Sequence, residues 1–297
     1  MYSKELKTYL LTALLLCLIT QAPAQATVFA TDSNGRRVEL IEPATRVVAL
    51  APHIVENLYS VGAQSAIVGA VQYSDYPESA KTIPRLGGVG SISLESIVAL
   101  KPDLIILWGS GTPTGLRANI ERLGLPYFVD EIHSLEELGD SLEALSALTG
   151  HPAEGLAAAT QLEEDLSEIA GERSLTQGVP PGVFLQLWDQ PLQSIGKEHL
   201  LNEVIERCGA YSITRGITGL APLVSLEQVL VKDPAIIITE SLAQARHWSK
   251  YPQLRAVREG NIAVINPDLL HRPTLRLLEG MRQICNRLAS QSVNASD

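Results

Sequence analysis

Short runs of consecutive apolar residues alternate along this chain with segments whose apolar residues recur every three or four positions. "RVVAL" (46–50), "AIVGAV" (66–71), "DLIILW" (103–108) and "PYFVD" (126–130) are of the first kind. They predict buried strands, because strands of a parallel sheet are covered on both faces. The second kind predicts helices between them: "PHIVENLYSVGA" (52–63), opened by Pro52 and closed by Gly62; 93–100, which ends before Lys101-Pro102; a helix near 114–123; and 134–149. Residues 152–171, "PAEGLAAATQLEEDLSEIAG", form the longest helical segment, and at 1.5 Å per residue it would run about 30 Å, the width of a small domain. A second set follows: strand "VFLQLW" (183–188), helices 199–208 and 225–232, strands "AIIIT" (235–239) and "IAVIN" (262–266), and a last helix near 273–289. Residues ahead of 46 read as a polar leader.

Strands and helices in this alternation predict an α/β fold with mainly parallel sheets. The pattern divides into an N-terminal lobe (46–133), connecting helices (134–172) that include a bridging helix at 152–171, and a C-terminal lobe (182–290). Two Rossmann-like lobes joined by one long helix is the expected architecture. "SLESIVALKPDLIIL" (93–107) recurs as "SLEQVLVKDPAIIIT" (225–239), at an offset of 132 residues. Short solenoid repeats run about 20–50 residues, so this offset marks a lobe repeat. Ser93 and Ser225 are placed to cap their helices, and Glu95 and Glu227 fall in the first turns, where the helix dipole favours an acid.

At 297 residues with 45% hydrophobic content, the chain can bury a substantial core. It opens with "MYSKELKTYLLTALLLCLITQAPAQA": two lysines, an apolar run of about ten residues, then Ala24-Gln25-Ala26. This reads as a secretory signal cleaved after Ala26, too short to span a bilayer, which needs about 20 residues. A lipoprotein signal at Cys17 would want small residues where Leu15 and Leu16 stand. Removing two lysines and a glutamate takes the formal charge from −10 to −11. That acidity disfavours nucleic acid and anionic membranes as partners. Export leaves Cys208 and Cys285, an even pair in an oxidising compartment. A disulfide is the simplest reading, and a metal or redox pair would lack any close Cys-x-x-Cys spacing.

"LIILWGSGTPTG" imitates a dinucleotide fingerprint, yet Thr114 stands at the third glycine position and Pro113 where a pyrophosphate would lie. No phosphate-binding loop or nucleophile elbow occurs. The histidines at 53, 133, 151, 199, 247 and 271 lack the spacing of a helical metal site, so no resident cofactor or metal is expected and no chemistry is predicted. Ligands of α/β sheets lie at the C-terminal ends of strands. Here those loops are "APH" (51–53, with Pro52 and His53), "QYSDYP" (72–77), the segment at Trp108, "WDQP" (188–191, with Trp188) and "NPDLLHRP" (266–273). Aromatic faces with a few directed polar groups suit a large, mostly apolar ligand carrying amides or carboxylates. Asp268 and Arg272 fit that role or a plain surface ion pair.

"YSDYP" (73–77), "LESIVALKPDLII" (94–106), "VFLQ" (183–186), "GKE" (196–198), "EVIERCGA" (203–210), "SLEQVL" (225–230), Asp268-x-x-x-Arg272 and "QICNRL" (283–288) together resemble the periplasmic cobalamin-binding proteins of Gram-negative vitamin importers. These belong to the helical-backbone class of solute-binding proteins, which also carries haem and siderophores. The resemblance covers residues 46 to 290. It implies a periplasmic, monomeric binder, not an enzyme, holding cobalamin (vitamin B12) or a related corrinoid between the lobes as cargo and delivering it to an ABC importer. Tyr73 would touch the corrin, and the loop of Asp268, Leu269, Leu270, His271 and Arg272 would bond its amides. Cys208 and Cys285 fall where the family has its disulfide. Glu95 and Glu227 look like docking carboxylates, one per lobe, for the two identical membrane subunits. Where the family has two cleft tryptophans this chain has Val89 and Ala221, with Trp188 a candidate replacement. Haem or siderophore is the alternative ligand, and Tyr73, His53 and His271 are the residues that would serve it.

Overall fold

The computed structural model describes residues 27–171 and 179–294. The segment 1–26 read as a secretory signal, with Cys17 and the expected cleavage after Ala26, lies outside the described residues. The segment read as a polar leader is a hairpin: β1 (Val28–Thr31) and β2 (Arg37–Leu40) pair antiparallel. Its turn, "DSNG", has the Asn-Gly that favours positive φ, and Gly35 adopts φ 74°. Buried Asp32 accepts from the backbone N–H groups of Asn34 and Arg36, and the Arg36 guanidinium lies 3.8 Å from the Tyr127 ring centroid.

The first lobe follows as β3 (Val47–Ala49), α1 (Pro52–Ser60), β4 (Ile67–Ala70), α2 (Leu94–Ala99), β5 (Leu104–Trp108), α3 (Thr114–Arg122) and β6 (Tyr127–Asp130). Its four strands are all parallel, in the order β4-β3-β5-β6. Helix α4 (Leu135–Thr149), capped by Ser134, leads into α5 (Pro152–Gly171), the bridging helix. Gly155, Ala158, Ala159, Leu162, Leu166 and Ile169 form the buried stripe of α5, recurring at helical spacing. A Cβ on Gly155 would sit 1.9 Å from Ser146 Oγ, so α4 and α5 cross too closely for any other residue there.

The second lobe comprises β7 (Gly182–Trp188), β8 (Gln193–Ser194), α6 (Leu201–Arg207), β9 (Tyr211–Ser212), α7 (Leu226–Lys232), β10 (Ile236–Thr239), α8 (Leu242–Trp248), α9 (Arg255–Arg258), β11 (Ile262–Val264) and α10 (Leu277–Asn294). Strands β9, β7, β10 and β11 run parallel, and β8 adds antiparallel to the end of β7. Two differences from the sequence reading stand out. Helix α10 starts at Leu277 rather than near 273, because Thr274 is held by α1 and its hydroxyl caps Arg276 N–H. Helix α8 lies where the sequence reading placed no element, although Ser241 Oγ caps it by accepting from Gln244 N–H while Gln244 Oε1 accepts from Glu240 N–H.

Strand alternation builds three cores. Val47, Ala49, Leu104, Ile106, Val183, Leu185, Ile236 and Ile238 point into one core that runs through both lobes with α1, α4, α5 and α10. Val48, Ile105 and Leu107 face a second core under α2 and α3, while Phe184 and Ile237 face a third under α7 and Trp248. Each fully buried Leu or Ile contributes about 1.5–3 kcal/mol. Separating the lobes through the shared core is therefore far costlier than moving the loops at its edge. Cys208 and Cys285 form the disulfide, tying the end of α6 to α10, and Arg282 on α10 pairs with Asp165 on α5 at 3.3 Å.

Candidate ligand-binding site

The segments after β3, β4 and β11 meet between the lobes, where Glu56 and Asp75 of the first bond Arg272 of the second. Ala51 follows β3 as an uncapped helix start and Pro52 opens α1, half-buried. Helix α1 is buried along His53, Ile54, Val55, Glu56, Asn57 and Leu58, so it carries polar groups into the interlobe core. His53 lies edge-on to Trp108, 5.6 Å between ring centroids, with its Nε2 3.8 Å from Asp130 Oδ2. That distance is too long for a hydrogen bond. Burial, and then the Arg272 charge, lower the His53 pKa to about 3, while burial raises that of Asp130 to about 6. At neutral pH His53 is therefore a neutral imidazole and no ion pair forms.

Trp108 ends β5, half-buried, and donates from Nε1 to Glu131 at 3.3 Å. A Cβ on Gly111 would lie 1.8 Å from the Trp108 ring and one on Gly109 2.6 Å from the Glu131 carboxylate. Those two glycines make room for the tryptophan and its partner, which is the physical origin of the apparent dinucleotide motif.

Tyr73 is 75% exposed, on a backbone with φ 65°. Non-glycine residues rarely adopt this conformation, and here it turns the ring outward from a rigid loop. Arg85 braces that loop by donating to the carbonyls of Ser74 (2.6 Å), Ala80 (3.0 Å) and Ile83 (2.8 Å). Trp188, 60% exposed at the end of β7, is an exposed aromatic of the other lobe. A buried relay holds its turn: Trp248 Nε1 donates to Gln186 Oε1 at 2.6 Å, and Gln186 Nε2 donates to Asp189.

In the loop after β11, Asn266 Oδ1 accepts from Asp268 N–H, and Asp268 pairs with Arg272 at 3.0 Å. Leu269 is half-buried. Leu270 is buried in the shared core and, like His53, presents almost no side-chain surface. His271 Nε2 meets Glu240 Oε1 at 2.6 Å. Arg272 reaches Glu56 (2.8 Å) and Asp75 (3.1 Å), both in the first lobe, and Arg276 stacks over Tyr76 with its guanidinium carbon 3.9 Å from the ring centroid. Thus Asp268 and Arg272 meet Glu56, Asp75, Tyr76 and Arg276, four residues that sequence reasoning did not single out, and Tyr73 stands two residues before Asp75. Asp75 and Tyr76 lay inside the flagged "YSDYP". Glu56 had its own signal, a carboxylate between Val55 and Leu58 on an apolar helix. At the two positions expected to supply aromatic walls, Val89 opens a single 3₁₀ turn (Val89–Ser91) and Ala221 is exposed in a loop.

Helix α2 returns to β5 through a tight turn, so it runs antiparallel to the strand and its N-terminus lies on the cleft side. Helix α7 and β10 repeat this arrangement. Ser93 Oγ accepts from Ser96 N–H at 3.1 Å and Ser225 Oγ from Gln228 N–H at 3.2 Å. Glu95 and Glu227 are exposed in these first turns. Each carboxyl is held below the usual range by its own backbone N–H and then by the cap serine.

The chain matches the model of the family described as periplasmic binding protein over residues 47–269. It is similar to the vitamin B12-binding protein of Vibrio cholerae serotype O1, 34% identical over 249 residues, 83% of this chain and 90% of that protein. The vitamin B12-binding protein of Yersinia pestis is 31% identical, covering 84% and 88%. Among solved structures, the periplasmic vitamin B12 binding protein of Vibrio cholerae superposes with a TM-score of 0.78 at 35% identity, over 83% of this chain and 97% of that one. The periplasmic heme-binding protein of Roseiflexus has a TM-score of 0.73 at 21% identity, covering 84% and 99%, a likeness of fold alone. With three quarters of its length matched by the family's model and two lobes of the expected topology, the chain belongs to the periplasmic binding protein family.

Proposed function

We propose that this chain captures cobalamin or a related corrinoid in the cleft between its lobes, in the periplasm, and passes it to an ABC importer without chemical change. The observation that carries the reading is an exposed Tyr73 ring two residues before Asp75, which bonds Arg272 of the Asp268–Arg272 pair, in a chain 34% identical to a vitamin B12-binding protein. A corrin offers a broad apolar face for the first and amide side groups for the second. Trp188 supplies the aromatic surface of the opposite lobe in place of the absent walls at Val89 and Ala221. Cobalamin is cargo here, and no resident cofactor is needed.

Haem is the competing ligand of the same fold, and two features weigh against it. His53 is buried, and the Nε2 of His271 is engaged by Glu240, so of the candidate iron ligands Tyr73 alone is free. Glu95 and Glu227, ionised and on the cleft side, serve as docking charges, each meeting a cation on one subunit of a two-fold transporter; a monomer with two equivalent lobes suits such a partner. Calorimetric titration of residues 27–297 with cyanocobalamin, haemin and a ferric siderophore in parallel tests the cargo. Saturable heat with cyanocobalamin supports the reading; silence there, with tight haemin binding and a Soret shift, overturns it.

A further inference from the structure

Glu56 is a carboxylate 3% exposed in the middle of α1, and it accepts from three groups of the other lobe: Arg272 Nη1 (2.8 Å), Thr274 Oγ1 (3.2 Å) and Arg276 Nη1 (3.3 Å). The next residue, Asn57, donates from its side chain to Pro273 O at 3.1 Å. Two consecutive residues of one helix thus pin the whole 272–276 segment. Arg272 has further carboxylates, Asp75 at 3.1 Å and Asp268 at 3.0 Å, whose side chains are 47% and 43% exposed. Asp75 belongs to the first lobe, so its bond joins the two lobes, from a carboxylate that faces solvent to an Arg272 side chain only 12% exposed.

These partners are not equivalent. Removing Glu56 from Arg272 strands a charge in the interior, which is strongly unfavourable. Asp75, 47% exposed, rehydrates on release, so losing its bond costs far less than losing that of Glu56. A ligand amide oxygen entering the cleft needs an N–H of Arg272, and of the two first-lobe partners on Nη1 Asp75 is the one that yields it at low cost. We propose that Glu56 is the fixed positioning partner of Arg272 and that Asp75 is its displaceable partner, an ion pair across the ligand-free cleft whose place the ligand takes. This rests on the reading of the cleft as the ligand site.

Asp75→Asn then raises the association rate and affinity for cyanocobalamin, by about two- to fivefold at low salt, and the gain shrinks at 1 M salt. Glu56→Gln frees Arg272 and weakens cyanocobalamin binding. It also shifts preference toward a cyanocobalamin monocarboxylic acid, in which one side amide is hydrolysed, because the arginine has lost its neutralising partner. Loss of stability alone would weaken both ligands equally. Unchanged or weaker binding by Asp75→Asn, or an unchanged ratio of the two ligands in Glu56→Gln, overturns the proposal. A ligand-free arm separates this from the cargo itself. Nitrogen-15 spectra of the arginine side chains, with Arg272 assigned through Arg272→Lys, should show faster guanidinium rotation in Asp75→Asn. If wild type fails to bind cyanocobalamin, the cargo reading falls and these spectra still decide the ion pair; unchanged Arg272 signals sink it.

Discussion

The two lobes repeat one unit with different edges. Helices α2 and α7 start after serine caps 132 residues apart, β5 and β10 start 132 apart, and the turns between them carry left-handed Lys101 (φ 48°) and Asp233 (φ 41°) at the same offset, each before a proline. The parallel order is also shared: β4-β3-β5-β6 in one lobe, β9-β7-β10-β11 in the other. The difference lies beside the central strand. Where the first lobe has the four-residue β4, the second has two two-residue strands, β9 along the start of β7 and β8 along its end. The β7–β8 turn leaves Trp188 exposed at the end of β7. A duplicated frame with unequal edges leaves each lobe a different exposed aromatic, Tyr73 on a braced loop in the first and Trp188 at a hairpin in the second.

The largest expected asymmetry is covalent. The disulfide closes a loop within the second lobe of 77 residues, worth roughly 4.5 kcal/mol by the chain-entropy relation. Replacing both cysteines by alanine should lower the unfolding free energy by about that amount, read from urea titrations. Hydrogen exchange should locate the loss in α6 and α10 first. Equal loss in β3 and β5 would mean that the shared core makes the lobes one cooperative unit.

Docking tests the symmetry itself. Alanine at Glu95 or at Glu227 should weaken transporter association equally, each by about tenfold as expected for a charge-assisted contact, with cobalamin affinity unchanged. The double variant should lose about a hundredfold if the sites are independent. Unequal singles would show that one lobe dominates docking, and a double variant that still associates would remove the role from both.

Acid separates the lobes more finely. His53 has its pKa lowered from 6.5 to about 3, so the stability it lends above pH 6.5 is lost as pH falls toward 3. Asp130, raised from 3.8 to about 6, lends stability below pH 3.8 that is lost as pH rises through 6. Between pH 4 and 6 these two opposed dependences cancel. In the second lobe His199, lowered to about 4 by burial and then by His271 and His133, accepts from Leu201 N–H and has no such counterweight. It alone should give about 1.4 kcal/mol of stability per pH unit over that range. Denaturation midpoints across pH 4–6 check this: Asp130→Asn should steepen the slope relative to wild type, and His199→Gln should flatten it. Identical slopes in all three would contradict the assignment.

Much of the frame was legible because short-range physics wrote it. Apolar runs mark the strands, Ser93 and Ser225 mark helix starts, and the 132-residue repeat marks the duplication. The hairpin at 28–40 was also written, in Asn34-Gly35 between alternating residues, and was passed over because its strands are short and half-exposed. The shortened start of α10 was not legible, since Thr274 is held by Glu56, which lies 218 residues away. The same long-range contact hid the partners of Arg272. Sequence spacing pairs it with Asp268, four residues off, while Glu56 and Asp75 reach it only through the meeting of two lobes. Leu270 and His53 were legible as members of cleft loops, but burial within those loops is set by tertiary packing.

The claim that both lobes converge on one corrinoid is tested most directly by titrating cyanocobalamin into wild type, Tyr73→Ala and Arg272→Ala in the calorimeter. One-to-one binding by wild type, weakened about tenfold or more by either substitution, is the expected result. No heat from wild type, or affinity untouched by both substitutions, would contradict it.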